Sequence, residues 1–192
     1  MSVVWHERLP STMDAAHSMA EAGAPHGTGV AAREQASGRG RRGKAWASPR
    51  GGLWMSVVCR PQNPTGMEHL SLRVGLAVAE ALDTMLGGLA SLSIRRPNDL
   101  FIDGKKVAGI LCEARWEGPS PLWVVVGLGL NVSNRLPAGV TGLATTLAEN
   151  GVETTPDLLA EPLALVIATA TLSAGPLTPG EESRIASREH VA

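Results

Sequence analysis

Residues 100–111 read LFIDGKKVAGIL, two apolar runs separated by Asp103-Gly104. An Asp-Gly pair in this setting is typical of a two-residue type I′ turn, in which both central residues take a positive φ. The pattern predicts a β-hairpin whose strands, Leu100–Ile102 and Val107–Arg115, are antiparallel neighbours. This hairpin is the strongest local signal in the chain.

The elements on either side of the hairpin follow no regular βαβ alternation. Apolar segments predict further strands at Val3–Trp5, Thr28–Glu34, Leu53–Arg60, Leu92–Arg96 and Leu122–Val126, with GLGLNV as a loop after the last. Helices are predicted from Ser11 to Gly23, over Glu68–Leu86 and within Thr155–Leu172, and Ser11 with Asp14 resembles a capping box. We therefore expect an α+β domain with a mixed or antiparallel sheet flanked by helices.

The composition is that of one ordinary domain. The chain has 192 residues, 44% of them hydrophobic, and a net charge of −1. Cys59 and Cys112 are too few for a disulfide framework or a zinc knuckle. The N-terminus lacks the pattern of a signal peptide, and the most apolar windows, 122–130 and 163–170, are too short to span a bilayer. We expect a reduced, cytoplasmic protein with no membrane partner.

A cationic loop occupies residues 35–46, QASGRGRRGKAW, where four basic side chains share six positions with two glycines. Three interpretations are open: a solvated surface loop, contact with a nucleic-acid backbone, or capture of a small phosphorylated or carboxylated ligand. The chain has no RNA-binding aromatic pair, helix-turn-helix or second basic patch, which disfavours nucleic acid. It has no Walker A motif, since Gly-Lys-Ser/Thr does not follow. The loop alone does not decide between them.

Further motifs accompany the loop in a fixed order. They are STMD at 11–14, RRPNDL at 95–100, KVAGILCE at 106–113 and GLGLNV at 127–132. Together with GRGRRG at 38–43 and Trp46, they resemble the catalytic domain of biotin protein ligases, in the biotin/lipoate protein ligase family. Each motif alone is weak, whereas five in register over roughly two-thirds of the chain are a specific signal.

The resemblance implies a fold related to class II aminoacyl-tRNA synthetases and a two-step reaction. Biotin and ATP, with Mg²⁺, would give biotinyl-5′-AMP and pyrophosphate. A lysine of a biotin carboxyl carrier protein, as in acetyl-CoA carboxylase, would then attack the mixed anhydride. Because the first step joins two anions, preplaced cations lower its barrier. Lys106, Arg39 and Arg41 are therefore the candidate catalytic residues.

The resemblance also implies a set of biotin-binding residues. Ser11, Thr12 and Gln35 match positions that hold the head group, and small hydroxyls and an amide suit a ureido ring. Without the resemblance, Ser11 and Thr12 would be helix caps and Gln35 the end of a surface strand. The full candidate set is Ser11, Thr12, Met13, Gln35, Arg39, Gly40, Arg41, Lys106, Gly109 and Gly127.

A second set is implied for ATP. Trp46 matches a residue that stacks near the adenine, with an ordinary core tryptophan as the less favoured alternative, and Asn131 matches one near the ribose or adenine. Asn98 is expected near the phosphates and Asp99 near the attacking lysine, although Pro-Asn-Asp is also ordinary turn chemistry. The full candidate set is Arg41, Arg42, Trp46, Asn98, Asp99 and Asn131. No protein metal site is predicted; Glu113 is a weaker candidate for an outer metal ligand, and the five histidines receive no role.

The loop is expected to order over the ligand, as it does in the family, and its glycines suit such a change. Arg39 and Arg41 are expected to face the ligand, with Arg42 and Lys44 mostly solvated. Strand alternation with Val107 toward the core places Lys106 and Ala108 on the opposite face. Lys105 is expected at the turn, in solvent.

The match departs from the family at several points. Arg96 stands where an aromatic residue is usual, which puts the geometry around Asn98 and Asp99 in question. We expect a catalytic domain over 1–175 and a polar, weakly periodic tail over 176–192, with a frayed terminal helix as one alternative for its structure. We expect neither an N-terminal helix-turn-helix nor a C-terminal SH3-like domain, and a homodimer is left open.

Two other functions remain as alternatives. A lipoate–protein ligase would share the fold, but lipoate has no ureido group for Gln35 to recognise. A non-catalytic module that binds biotin or biotinyl-AMP would keep the pocket and lose turnover.

Overall fold

The computed structural model describes residues 2–61, 65–88, 91–140, 142–172 and 175–189. The strands are β1 Val3–His6, β2 Gly29–Ala32, β3 Leu53–Cys59, β4 Ser93–Arg95, β5 Asp99–Ile102, β6 Lys105–Glu117 and β7 Ser120–Leu130. The helices are α1 Thr12–Glu21, α2 Leu70–Met85, α3 Pro156–Leu172 and α4 Pro179–Ser187. Each predicted strand and helix is present, with ends shifted by a few residues.

The strands form one sheet in the order β1-β2-β3-β7-β6-β5-β4. β1 and β2 are parallel, and every other pair of neighbours is antiparallel. The predicted α+β class with a mixed sheet is therefore confirmed. β7 lies at the centre, between β3 and β6, so the middle of the sheet is built from the longest strands.

The predicted hairpin joins β5 and β6, which pair antiparallel. Asp103 and Gly104 at its turn have φ values of 47° and 75°. Both central residues thus have the positive φ that a type I′ turn requires.

The regular alternation expected along β6 is broken by a β-bulge. Phe101 pairs with Lys106 and Leu100 pairs with Ala108, so Val107 is an extra residue on β6. Val107 and Ala108 both belong to the apolar core as a result. The prediction that Ala108 shares a face with Lys106 is therefore wrong.

The predicted loop GLGLNV is mostly strand, because β7 continues to Leu130. Gly127 pairs with Ser56 and Gly129 with Trp54 across β3. Glycines weaken a strand pattern in sequence, but inside a strand they mark places where another group approaches the backbone closely.

Helices cover the two faces of the sheet unequally. α2 and α3 pack on one face and bury the large core, which includes Leu53, Leu82, Ile110, Leu128 and Leu163. α1 packs alone on the other face, over a smaller cluster of Met13, Ala16, Ala20, Val30, Val58 and Val125. Part of that second face is therefore left open for a cavity. None of the helices described in the chain has the length and apolar character to cross a bilayer.

The segment expected to be a weakly periodic tail contains α4. A capping box between Thr178 and Glu181 begins this helix, and Ile185 is fully buried. Glu189 then forms a parallel bridge with Ile94 of the edge strand β4. The C-terminal segment thus packs on the domain core and covers part of one sheet edge.

Candidate active site

A cavity of about 460 Å³ lies on the face of the sheet that α1 partly covers. Its walls come from the N-terminus of α1, the cationic loop, the hairpin β5–β6, and strands β3 and β7. Most of the predicted site residues line it: Ser11, Thr12, Met13, Gln35, Arg39, Gly40, Arg41, Arg42, Trp46, Asn98, Asp99, Lys106, Gly109 and Gly127. Segments far apart in sequence therefore meet at one cavity.

The N-terminus of α1 forms one wall. Ser11 is the N-cap, and its Oγ accepts from the Met13 amide at 3.3 Å. The Thr12 amide donates to Gln35 Oε1 at 2.7 Å, and Thr12 Oγ1 lies 2.8 Å from Ser56 Oγ. Ser11 thus caps the helix and also lines the cavity, so its two interpretations are compatible, whereas Thr12 lines the cavity without capping the helix.

Gln35 is a cross-link rather than a surface strand end. Its Oε1 accepts from both the amide and the hydroxyl of Thr12, and its Nε2 donates to Ser48 Oγ at 2.8 Å. These bonds fix which end of the side-chain amide is the acceptor. The cavity therefore has a preorganised, neutral polar wall.

The predicted capping box at α1 is not formed, because Asp14 binds elsewhere. Arg39 Nη1 donates to Asp14 Oδ1 at 2.7 Å. Arg39 Nε and Nη2 donate to the two carboxylate oxygens of Glu113, each at 3.0 Å. Arg39 therefore bridges α1 and β6 across the side of the cavity.

This cluster shifts the titration of both partners. The hydrogen bonds that Arg39 donates to Glu113, and to Asp14, raise the pKa of Arg39 above its usual value, despite partial burial. In return, Arg39 lowers the pKa of Glu113, and a contact with His17 lowers it further. Both side chains are thus held in their charged forms.

The cationic loop folds back on itself. Arg39 and Ala45 form an antiparallel bridge, and the Gly40 amide donates to the Lys44 carbonyl at 2.7 Å. Arg42 at its tip has a φ of 56°. Arg42 and Lys44 are exposed, as predicted, and both also line the cavity. The expectation that the loop orders on ligand binding stays a prediction.

The Pro-Asn-Asp segment is attached to β6 on one side and to the loop on the other. The Asn98 carbonyl accepts from the Ile110 amide, and Asn98 Nδ2 donates to the Ile110 carbonyl, both at 2.9 Å. Arg41 Nη1 donates to Asn98 Oδ1 at 3.2 Å. Arg41 therefore approaches the site with a neutral partner, and no carboxylate among the described residues forms an ion pair with it.

Lys106 extends from β6 into the cavity. Its Nζ lies 2.7 Å from Asp99 Oδ1 and 4.9 Å from the centre of the Trp46 ring. The lysine is thus held by a carboxylate and by an aromatic face. The indole Nε1 of Trp46 is buried, and none of the described residues accepts a hydrogen bond from it.

Glycines form the floor of the cavity. A Cβ at Gly127 would lie 2.6 Å from Met13 Sδ, and one at Gly129 would lie 2.7 Å from the Trp46 ring. At Gly109 the nearest Trp46 atom would be 3.1 Å away. The absence of side chains at these strand positions is what lets Met13 and Trp46 lie against the sheet.

Asn131 is the predicted site residue that does not line the cavity. Its Nδ2 donates to the Thr145 carbonyl at 3.1 Å, and its Oδ1 accepts from Asn134 Nδ2 at 3.2 Å. The side chain is buried in the loop after β7. Its predicted contact with a nucleotide stays a prediction.

Arg96, at a position where the resemblance implied an aromatic residue, binds the C-terminal segment. Its Nη2 donates to Glu182 and its Nε to Glu189, each at 3.2 Å. It is absent from the cavity lining, whereas Asn98 and Asp99 are part of it. The substitution thus leaves these two residues at the cavity.

Sequence reasoning missed two kinds of residue. Ser56 and Ser48 hold the polar wall, and the signal for Ser56 was a lone hydroxyl within the apolar strand LWMSVVC. His17 was given no role, yet its Nε2 lies 3.2 Å from Glu113 Oε2 and its Nδ1 accepts from Trp123 Nε1 at 3.0 Å. Spacing along the chain gives no signal for such contacts.

The chain is similar to known proteins over most of its length. A profile of the biotin/lipoate A/B protein ligase family matches residues 5–131. The bifunctional ligase/repressor BirA of Bacillus subtilis is 37% identical over 152 residues, which are 77% of this chain and 46% of BirA. The biotin–[acetyl-CoA-carboxylase] ligase of Paracoccus denitrificans is 43% identical over 111 residues, 57% of this chain and 46% of that protein.

The fold has a solved counterpart. The biotin protein ligase of Aquifex aeolicus, in complex with biotin and ATP, aligns with a TM-score of 0.82 at 28% identity. The alignment covers 98% of this chain and 78% of the Aquifex chain. The matches to the two curated relatives each span 46% of the relative's length.

Proposed function

The chain belongs to the biotin/lipoate A/B protein ligase family, and we propose that it is a biotin protein ligase. In the proposed reaction, biotin and ATP form biotinyl-5′-AMP and pyrophosphate. The biotinyl group is then transferred to a lysine of a biotin carboxyl carrier domain, such as that of acetyl-CoA carboxylase. The observation that carries the proposal is the convergence of Lys106, Arg39 and Arg41 with the fixed Thr12–Gln35 pair on one cavity.

The cavity lining combines two chemistries that this substrate pair needs. Thr12, Gln35 and Ser56 form a neutral, hydrogen-bonding wall that suits an uncharged ureido group. Arg41 and Lys106 supply positive charge for a carboxylate and for phosphates. A nucleic-acid site would not need the first set.

In the first step, a carboxylate oxygen of biotin bonds to the α-phosphorus of ATP. The bond from that phosphorus to the bridging oxygen breaks, and pyrophosphate leaves with the electron pair. The two reacting groups are both anionic, so the lysine and arginine charges lower the barrier by acting on both. The ion pair with Asp99 holds Lys106 at the cavity before any ligand binds.

In the second step, the neutral amine of the acceptor lysine attacks the acyl carbon, and AMP leaves. The amine must lose a proton to a base. Asp99 is the one carboxylate among the described residues that line the cavity, and we assign it this role. Closure of the cationic loop keeps water from the mixed anhydride.

The residues present do not form a dedicated metal cage. Among the parts of the chain that the structure describes, no group of three potential ligands is suitably placed. Asp14, Asp99 and Glu113 are each paired with a cationic side chain. Mg²⁺ would therefore be held mainly by the ATP phosphates and water, as is common for this ion.

The test is biotin-dependent ATP–pyrophosphate exchange, together with transfer of biotin to a purified carrier domain. Wild type should do both. Lys106→Ala should lose exchange by about a hundredfold or more, because a preplaced charge is removed from the reacting groups. Lys105→Ala is the matched control, since Lys105 is exposed at the neighbouring position and should leave the rate unchanged.

The other outcomes separate the alternatives. Exchange that depends on lipoate instead of biotin would assign the sister activity. Exchange without transfer would mean a protein that only adenylates, and biotin binding without exchange would mean a binding module. Full exchange by Lys106→Ala would overturn the role given to this residue.

A further inference from the structure

Glu113 is absent from the cavity lining, yet it contacts the cavity wall through Arg39. We propose that Glu113, held in place by His17 and Trp123, is a positioning residue that fixes the guanidinium of Arg39 for recognition of the ligand carboxylate. The inference rests on the proposed biotin ligase function, and it adds residues that the sequence motifs do not assign to substrate binding.

Trp123 sets the direction of the hydrogen bonds at His17. An indole N–H can only donate, so His17 Nδ1 must accept from Trp123 Nε1. A neutral His17 then carries its proton on Nε2, which faces Glu113 Oε2 at 3.2 Å. The tautomer that Trp123 selects is therefore the one that can donate to Glu113.

Four separate parts of the fold meet around Glu113. Trp123 lies on β7, His17 on α1, Glu113 on β6, and Arg39 on the cationic loop. The first three are fixed by the sheet and by the packing of α1. The loop residue is thus attached through Glu113 to a rigid part of the domain.

Glu113 and Asp14 bind different edges of the Arg39 guanidinium. Glu113 occupies the edge formed by Nε and Nη2, and Asp14 accepts from Nη1. A guanidinium has five N–H donors, so these three bonds leave one on each Nη atom. The contacts with Glu113 and Asp14 therefore determine which N–H groups of Arg39 remain for a ligand.

The charge of Arg39 is more than balanced by its two partners. Arg39, Asp14 and Glu113 together carry a net charge of −1, so this cluster does not attract an anion by its total charge. Arg39 can serve such a ligand only through well-directed hydrogen bonds. Its orientation, which Glu113 sets, then matters more than its charge.

The test is Glu113→Gln, which keeps the shape and removes the charge. Its amide nitrogen would face a donor of Arg39, so the guanidinium should turn away. We expect the KM for biotin to rise about tenfold and the KM for ATP to change less than twofold, since the effect passes through Arg39. Trp123→Phe, which removes the N–H that donates to His17 together with the five-membered ring of the indole, should raise the KM for biotin about two- to threefold.

A double-mutant cycle separates positioning from any direct role. In an Arg39→Ala background, Glu113→Gln should produce no further rise in the KM for biotin. Asp157→Asn is the matched control, because it breaks another two-pronged arginine–carboxylate pair, with Arg33, outside the cavity lining. An unchanged KM in Glu113→Gln, or an equal rise without Arg39, would overturn the proposal.

A second measurement does not depend on activity. In arginine-labelled protein, the Nε–H of Arg39 should exchange slowly with solvent in wild type and at least tenfold faster in Glu113→Gln. Equal hydrogen exchange in both proteins would refute the positioning of Arg39 by Glu113, even if the protein proved not to be a biotin ligase. If wild type showed no biotin-dependent ATP–pyrophosphate exchange while the Arg39 Nε–H stayed protected, only the proposed function would be refuted.

Discussion

Two arginine–glutamate pairs in this domain have the same bonding pattern and different surroundings. In each pair the arginine donates through Nε and Nη2 to the two carboxylate oxygens, at 3.0 and 3.0 Å for Arg39–Glu113 and at 2.7 and 3.3 Å for Arg73–Glu181. The side chains are 29% and 33% exposed in the first pair and 6% and 14% exposed in the second. The pairs thus differ mainly in their access to water.

This difference in exposure indicates different roles for the two arginine–glutamate pairs. Arg73 on α2 also donates to the carbonyls of Gly175 and Pro176, and Glu181 is part of the cap of α4. The buried pair therefore fastens the C-terminal segment to the core, where losing one partner would strand a charge. The cavity pair is partly solvated, so losing one of its partners costs the fold little.

The largest expected effect is on stability, from the buried pair. Arg73→Met should lower the free energy of unfolding by about 3 kcal/mol, because Glu181 would remain largely buried without its partner. Urea denaturation measures this change. Asp157→Asn, which breaks the more exposed pair with Arg33, should cost less than about 1 kcal/mol. Equal losses in the two variants would refute the importance of burial.

The next effect is a dependence of stability on pH. Arg73 lowers the pKa of Glu181 from 4.5 to about 2 in the folded protein. Its contribution is therefore fully present above about pH 4.5 and is lost as the pH falls toward 2; at most it is about 3 kcal/mol. The difference in unfolding free energy between wild type and Glu181→Gln should shrink over that range. A constant difference down to pH 2.5 would contradict this assignment.

The smallest effect on stability is expected at the cavity pair. Arg39→Met should change the free energy of unfolding by less than about 1 kcal/mol, because Glu113 remains one-third exposed and keeps its contact with His17. The same variant should raise the KM for biotin if the proposed function is correct. A stability loss as large as that of Arg73→Met would show that the cavity pair is structural after all.

The sequence predicted the parts of the fold that depend on local patterns. The Asp103-Gly104 turn and the apolar period of α2 are local signals, and both were present. The end of β7 was misjudged because Gly127 and Gly129 resemble a loop until Met13 and Trp46 are seen against them. Helix α4 was expected only as one alternative for the polar tail. Thr178 and Glu181 give a local capping signal, but the ion pair with Arg73, more than a hundred residues away, follows from no local pattern.

The candidate site shows the same division. Of the fifteen site residues predicted from the motifs, fourteen line one cavity, and Asn131 lies outside its lining. The pairing of charges was not predictable, since Asp14 was expected to cap α1 and instead binds Arg39. Arg96 likewise bonds to Glu182 and Glu189, a contact that depends on how the C-terminal segment packs.

The bulge at Val107 decides which of two adjacent lysines enters the cavity. Counting back along β6 from Gly109, which faces the cavity, strict alternation would turn Lys105 toward the ligand and Lys106 into the core. The extra residue reverses this parity, so Lys106 lines the cavity and Lys105 is left in solvent. The choice of the cationic group at the site is thus made by one backbone irregularity, in a chain that offers two identical side chains.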